Sequence, residues 1–218
     1  MDIKIRPYRK EDKKIVTKML IDHSFRGKAT EEYSEDIYLI KALYVDYYLN
    51  YEPESTFVAD SDGEIVGFIM GCANSDRYMR IVMKRLMPIA ILKIFFKIIT
   101  FQYRKKYTYE NLWWYMAKSQ KEMPPVPSDE YPAHQHMIIA EKARGRGTFK
   151  MLRDALFNHL REQGVHKLHS IGNEPVGVNA LERYCRVMGY KVHSRGLVSI
   201  WKSVSDVQWE MKVFTHEF

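Results

Sequence analysis

The run AEKARGRGTFKML, residues 140–152, decides how the rest of the chain is read. An apolar stretch, residues 134–140, leads into it. Behind it lies an amphipathic pattern, residues 148–162, in which Phe149, Leu152, Leu156 and Leu160 recur at steps of three and four. The local order is therefore strand, glycine loop, helix. Gly145 and Gly147 allow close approach of the backbone to a ligand, because neither carries a Cβ. The first N–H groups of a helix lack partners within it, and the helix dipole adds partial positive charge there. Such an end binds phosphate. Arg144 and Arg146 add two cations, so the loop reads as a diphosphate seat. Two glycines and two arginines also make an ordinary solvated turn, and short glycine motifs match by accident.

Working outward, residues 2–7 alternate Ile3 and Ile5 with polar neighbours, as a strand does. A charged helix follows, with Ile15, Val16, Met19 and Leu20 on one side. Thr30 ahead of Glu31 and Glu32 predicts a helix start and a long helical run to about residue 50. Residues 56–60 (TFVAD) and 65–73 (IVGFIMGCA) are apolar runs separated by Ser61-Asp62-Gly63-Glu64, a hairpin signal. Beyond the loop, Gly164 ends the amphipathic helix. Residues 167–172 then read as a strand, 179–188 as a helix, and 190–201 and 207–214 as two further strands. The order predicts one α/β domain over residues 1–218, with a mixed sheet and a helical insertion, residues 74–130, between the third and fourth strands.

The 218 residues are 46% apolar, with fifteen Tyr and ten Phe, enough for a real core. Charge and apolar content near the globular average exclude a disordered chain. Two cysteines, Cys72 and Cys185, make no disulfide framework and read as free thiols in a reducing compartment. The opening MDIKIRPYRKEDKK is charged throughout and unlike a signal peptide, so a cytoplasmic protein is expected. A net charge of +7 points to an anionic partner: nucleic acid, a membrane surface or a phosphorylated cofactor.

The insertion differs from its surroundings. Residues 77–106 hold nine Lys or Arg and no Asp or Glu. The apolar centre, residues 87–101, is broken by Lys93 and Lys97 and is too short and too charged for a membrane span. Pro88 predicts a helix start. A second helix over 109–120 carries Leu112, Trp113, Trp114 and Met116, and Pro124, Pro125 and Pro127 close the segment. The expectation is a lid whose residues Ile91, Leu92, Phe95, Ile98 and Ile99 pack on the core. A membrane-surface helix is the second reading and is not favoured. No motif backs nucleic-acid binding, so none is expected.

Arg144-Gly145-Arg146-Gly147-Thr148, between strand and helix, resembles the cofactor loop of the GCN5-related N-acetyltransferases (GNAT). That pattern is Gln or Arg, any two residues, Gly, any residue, then Gly or Ala. Arg144 and Gly147 match it, and Phe149 stands at the last small position. Ile5-Arg6-Pro7, the hairpin with Asp62-Gly63-Glu64, Asn179-Ala180 through Met188-Gly189-Tyr190, and Trp209-Glu210-Met211-Lys212 resemble further family segments in the family's order. Tyr131-Pro132-Ala133-His134, with His136 beyond, resembles a subgroup with a Tyr-Pro-Ala-His run before the loop. Only residues 74–130 lie outside the resemblance.

The resemblance implies a mostly antiparallel sheet whose fourth strand splays from the fifth, and an acetyl-CoA-dependent N-acetyltransferase. A primary amine, on a small molecule or a protein, would attack the thioester directly. Pantetheine would pair with the backbone of Met137, Ile138 and Ile139, and the diphosphate would rest on the N–H groups of Arg144, Gly145, Arg146, Gly147 and Thr148. The acid that meets the leaving thiolate would be Tyr184, counted from Ala180, or Cys185, counted back from Gly189. One residue turns a helical side chain by about 100°, and a phenol suits the role, so Tyr184 is favoured. His134 and His136 share a strand face and titrate near neutrality, which makes them candidate bases. The rival readings are a structural pair or, with His169, zinc ligands; no cluster stands near them in sequence, so no metal is expected. Asn173 and Asn179 fall near the position where the family turns an Asn toward the cofactor, although Asn also caps helices. The alternative function is a non-catalytic acyl-CoA-binding module.

Overall fold

A computed structural model describes residues 2–23 and 30–218. Its strands are β1 (Lys4–Pro7), β2 (Thr56–Ser61), β3 (Glu64–Cys72), β4 (Ala133–Ile139), β5 (Lys167–Pro175), β6 (Lys191–Val198) and β7 (Trp209–Glu217). Its helices are α1 (Lys13–His23), α2 (Tyr38–Tyr44), α3 (Asp46–Tyr51), α4 (Ser75–Ile81), α5 (Met87–Ile99), α6 (Lys106–Trp113), α7 (Ser119–Glu122), α8 (Thr148–Glu162) and α9 (Ala180–Val187). Among the described residues, seven strands form one sheet in the order β1-β2-β3-β4-β5-β7-β6. Every neighbouring pair is antiparallel except β4 and β5.

The β2–β3 hairpin closes on Asp62-Gly63, both at positive φ (54° and 86°), the conformation a two-residue turn requires. Ala59 pairs with Gly67 but Asp60 with Ile65, so Val66 is an extra residue that bulges β3. The sheet separates two apolar layers. Val16, Leu20, Tyr48, Phe68 and Met70 belong to the layer under α1–α3. Ile69, Leu152, Leu156 and Leu160 belong to the layer under α8.

The long helix expected over residues 30–50 is broken. Asp36 Oδ2 accepts from Leu39 N (2.8 Å), so helix α2 begins at Tyr38, and Val45 at φ −132° separates it from α3. Between β3 and β4 the chain is helical from residue 75 to 99 without interruption, joined by a π turn over residues 82–86. Pro88 therefore lies inside a helix already under way. The expected core stripe is also corrected. Ile91, Leu92, Phe95, Ile98 and Ile99 are exposed, and Val82, Leu86, Ala90 and Ile94 face inward. Residues 87–99 are apolar on nearly every side apart from Lys93 and Lys97, so apolar spacing alone does not select the buried face.

Candidate active site

β4 and β5 stay paired for only two residue pairs, Ala133 with Leu168 and His134 with His169. β5 then follows β7 along its whole length, while β4 follows β3 to Ile139. The edge of β4 facing β5 consequently opens, from Gln135 onward, onto a gap that no strand fills. Two cavities meet in that gap.

The first, about 620 Å³, is lined by Ile139, Arg144, Gly145, Gly147 and Thr148. Gly145 and Gly147 hold φ values of 72° and 77°, which favour glycine, and where a Cβ would stand there is open space. The turn is fastened from behind. Thr148 Oγ1 donates to Ala143 O (2.7 Å) and Arg144 Nε to Ile139 O (3.2 Å). Met151 N is the first amide of α8 to bond back, to Gly147 O (3.1 Å), so the amides of the first turn point outward. This donor set, with Arg144, Arg146 and Lys150 around it, fits a diphosphate.

The second cavity, about 370 Å³, passes through the sheet. It touches Tyr44, Trp114 and Trp201 on one side and Leu181, Cys185 and Tyr190 on the other. None of its lining residues is Asp, Glu, Lys or Arg. Met137, Ile138, Phe149, Leu181 and Tyr184 line both cavities, so they mark the junction. The Phe149 ring packs edge-on against Tyr184 at 5.0 Å. Burial raises the Tyr184 pKa, which keeps the phenol protonated. Cys185 lines only the second cavity. Burial, with Glu174 and Glu182 nearby, pushes its thiol up to about 12.

The two histidines of β4 differ. His136 lines the second cavity and packs edge-on against Tyr44 and Tyr48. Burial, then the neighbouring His169, lowers its pKa to about 4. His134 lies behind it and has both nitrogens engaged. Ser75 Oγ donates to Pro132 O (2.7 Å), so it accepts from His134 Nδ1–H (2.7 Å). Tyr48 OH then donates to Nε2 (2.7 Å), leaving His134 neutral. Among the described residues, no group of three or more His, Cys, Asp or Glu could hold a metal ion.

Asn173 lines the second cavity with its Oδ1 buried and unbonded, whereas Asn179 Oδ1 accepts from Lys212 Nζ (3.1 Å). Two features are missing from the sequence reading. Gln135 is buried at the mouth of the gap; its Nε2 donates to Tyr190 OH (2.8 Å) and its Oε1 has no partner. A lone amide in an apolar strand was the available signal. Lys212, fully buried, is held by Glu174, Glu182 and Glu210 at 2.7–2.8 Å. Burial pushes its pKa down, but the three carboxylates outweigh this and raise it. Glu174 also accepts from Leu181 N (3.1 Å), so the cluster ties α9, the carrier of Tyr184, to β5 and β7. Gly172 admits Leu181 here, since a Cβ would lie 2.5 Å from its Cδ2.

No protein-family model matches the chain, and no curated protein does either. Its fold is shared with solved structures that include N-acetyltransferases. SsHAT superposes with a TM-score of 0.68 at 20% identity, covering 98% of both chains. A ribosomal-protein-alanine N-acetyltransferase from Brucella melitensis gives 0.53 at 13% identity, covering 99% of both. The Salmonella typhimurium acetyltransferase yncA, solved with its cofactor acetyl-CoA, gives 0.53 at 12%, covering all of this chain and 94% of the other.

Proposed function

We propose that this chain transfers an acetyl group from acetyl-CoA to a primary amine. The observation that carries the reading is the place of Tyr184, at the junction between a glycine loop with outward amides and an uncharged chamber. Arg144, Gly145, Arg146, Gly147 and Thr148 would hold the diphosphate, and the open edge of β4 at Met137, Ile138 and Ile139 would pair with the pantetheine amides. The amine attacks the thioester carbon as the C–S bond breaks. Tyr184 gives its proton to the leaving thiolate. Asn173 and Gln135 offer buried acceptors beside the path. Asn179 acts at one remove, through Lys212.

The chamber also speaks to the acceptor. With no carboxylate in its lining, burying an ammonium there is costly, so the amine enters neutral. His136 faces it as the proton acceptor, and His134 holds the strand in place behind. A single amine on a compact apolar or aromatic body suits such a chamber; a polyamine does not. Residues 74–130, as an insertion within one domain, contribute Trp114, Tyr115 and Met123 to the wall. The Tyr131–His134 run supports membership of the subgroup with a Tyr-Pro-Ala-His run, and the free thiols suit the cytoplasm.

Calorimetry with acetyl-CoA tests the reading. Micromolar binding that weakens at least ten-fold in an Arg144→Ala/Arg146→Ala variant is expected, about 1.4 kcal/mol. Thiol release with a panel of amines is the second measurement. Phe149, at the junction, favours one second reading: binding without thiol release from any amine would make the chain an acyl-CoA-binding module. No binding would overturn both.

A further inference from the structure

We propose that α5 and its flanks dock on the surface of an anionic membrane, a property beyond the transfer reaction. From residue 75 to 99 the helical run is about 37 Å long at 1.5 Å per residue. One side of it, with Tyr78, Ile81, Val82, Leu86, Met87, Ala90 and Ile94, packs on the body of the protein. The opposite side leaves Met83, Leu92, Phe95, Phe96 and Ile99 exposed, Leu92 at 69%. Continuous exposed apolar surface of this kind marks an interaction site. Two residues past the end of α5, Phe101 holds φ 54° and is 83% exposed. A bulky side chain in the left-handed region is costly, so an aromatic ring is projected into the medium at a backbone cost.

Charge selects the occupant. Residues 77–106 carry nine cations and no acid. Lys84, Arg85 and Lys93 are exposed, and among the described residues none of them forms an ion pair. Lys93 and Lys97 lie over the Tyr38 ring at 5.0 and 5.2 Å, Lys97 on the body side of the helix. A second copy would bring like charge against like charge. A nucleic acid would satisfy the cations but leave Leu92, Phe95 and Phe96 in water. An anionic lipid interface takes both: headgroups meet the cations and acyl chains meet the apolar side. Among the described residues no helix is long and apolar enough to cross a membrane, so this is a surface contact.

Flotation with vesicles tests it on the full chain. Phosphatidylcholine with phosphatidylserine should recover at least about ten-fold more protein than phosphatidylcholine alone, and less as salt rises. Leu92→Ser/Phe96→Ser and Lys84→Glu/Arg85→Glu should each cut recovery by about ten-fold or more. Melting temperatures should not change, because the four side chains are exposed. Equal recovery with and without anionic lipid overturns the proposal. So does a serine pair that still floats, which would mean a purely electrostatic contact. A wild type that sediments as a dimer and does not float, with a monomeric serine pair, would assign the face to a second copy and overturn it as well.

Discussion

Tyr184 and His136 divide the proton work, and each can be tested alone. The phenol is half-exposed at the junction and burial keeps it protonated. Tyr184→Phe removes one proton and almost no volume. Acetyl-CoA affinity should be unchanged while kcat falls by about 10²-fold or more, the usual worth of general acid catalysis. Unchanged turnover would remove the assignment. Cys185, the other candidate acid, lines the second cavity alone and not the junction. His136 gives a sharper test. Its conjugate acid loses its proton at about 4, because burial penalises the charged ring. A base is competent only above its pKa. In kcat/KM against pH, the limb from this residue should therefore fall near 4, with no histidine limb at the ordinary 6.5. A limb near 6.5 that disappears in His136→Asn would show a solvated imidazole and contradict the enclosed geometry. The sequence pointed to the two histidines as an i, i+2 pair on one face. What separates them, Ser75 and Tyr48 occupying both nitrogens of His134, comes from residues 59 and 86 positions away. Such contacts leave no local signature.

Helix α9 aims Tyr184, and Lys212 anchors α9. Lys212 lies with Glu210 on the side of β7 opposite Trp209, Met211 and Val213, where alternation alone suggests solvent. The other two carboxylates arrive from β5 and α9, so the burial of this cation was not legible. The glycine loop, by contrast, was, because strand, loop and helix are contiguous and the glycines must take positive φ. The buried stripe of α5 was not legible because residues 87–99 are apolar on nearly every side, so their spacing alone does not select the face that packs. Lys212→Met leaves Glu174, Glu182 and Glu210 crowded without their shared cation. Breaking a buried ion cluster from one side costs about 3–5 kcal/mol, a fall of roughly 10 °C in Tm for a chain of this size. The Lys212 hydrogen bond is also the leading reason Glu182 titrates below its usual range. In the surviving folded protein kcat should fall while acetyl-CoA affinity holds, because the loop stands apart from the cluster. An equal loss of both would mean the cluster supports the whole sheet rather than the aim of one helix.

The molecule as a whole is a sheet with two apolar faces, split where β4 leaves β5, and three histidines are enclosed beside the split. His134 and His169 lie with ring centroids 5.5 Å apart, and His134 and His136 6.1 Å apart. Burial depresses the pKa of all three, and the first two also repel as cations. The bonding of His134, whose two nitrogens are both occupied, agrees with neutrality, whereas the 2.8 Å bond from His169 Nδ1 to Tyr131 O works against the effect of burial. The consequence for stability has a definite sign. The unfolded chain protonates these rings at about 6.5 and the folded chain resists it. Between those values the unfolded state binds more protons, so stability rises with pH and is lost as pH falls below about 6.5. Each histidine contributes a slope of up to about 1.4 kcal/mol per pH unit in that window. The depressed carboxylates Asp12, Asp60 and Glu182 act lower, their share being lost as pH falls below about 4. Denaturation should therefore begin well above the carboxylate range, with Tm dropping by about 10 °C or more between pH 7 and pH 5. His169→Asn, which keeps a hydrogen-bonding side chain at Tyr131 and cannot titrate, should make that fall shallower. A Tm that is level from pH 7 to 5 would mean the three rings protonate freely in the folded protein, and that water reaches the floor of the split.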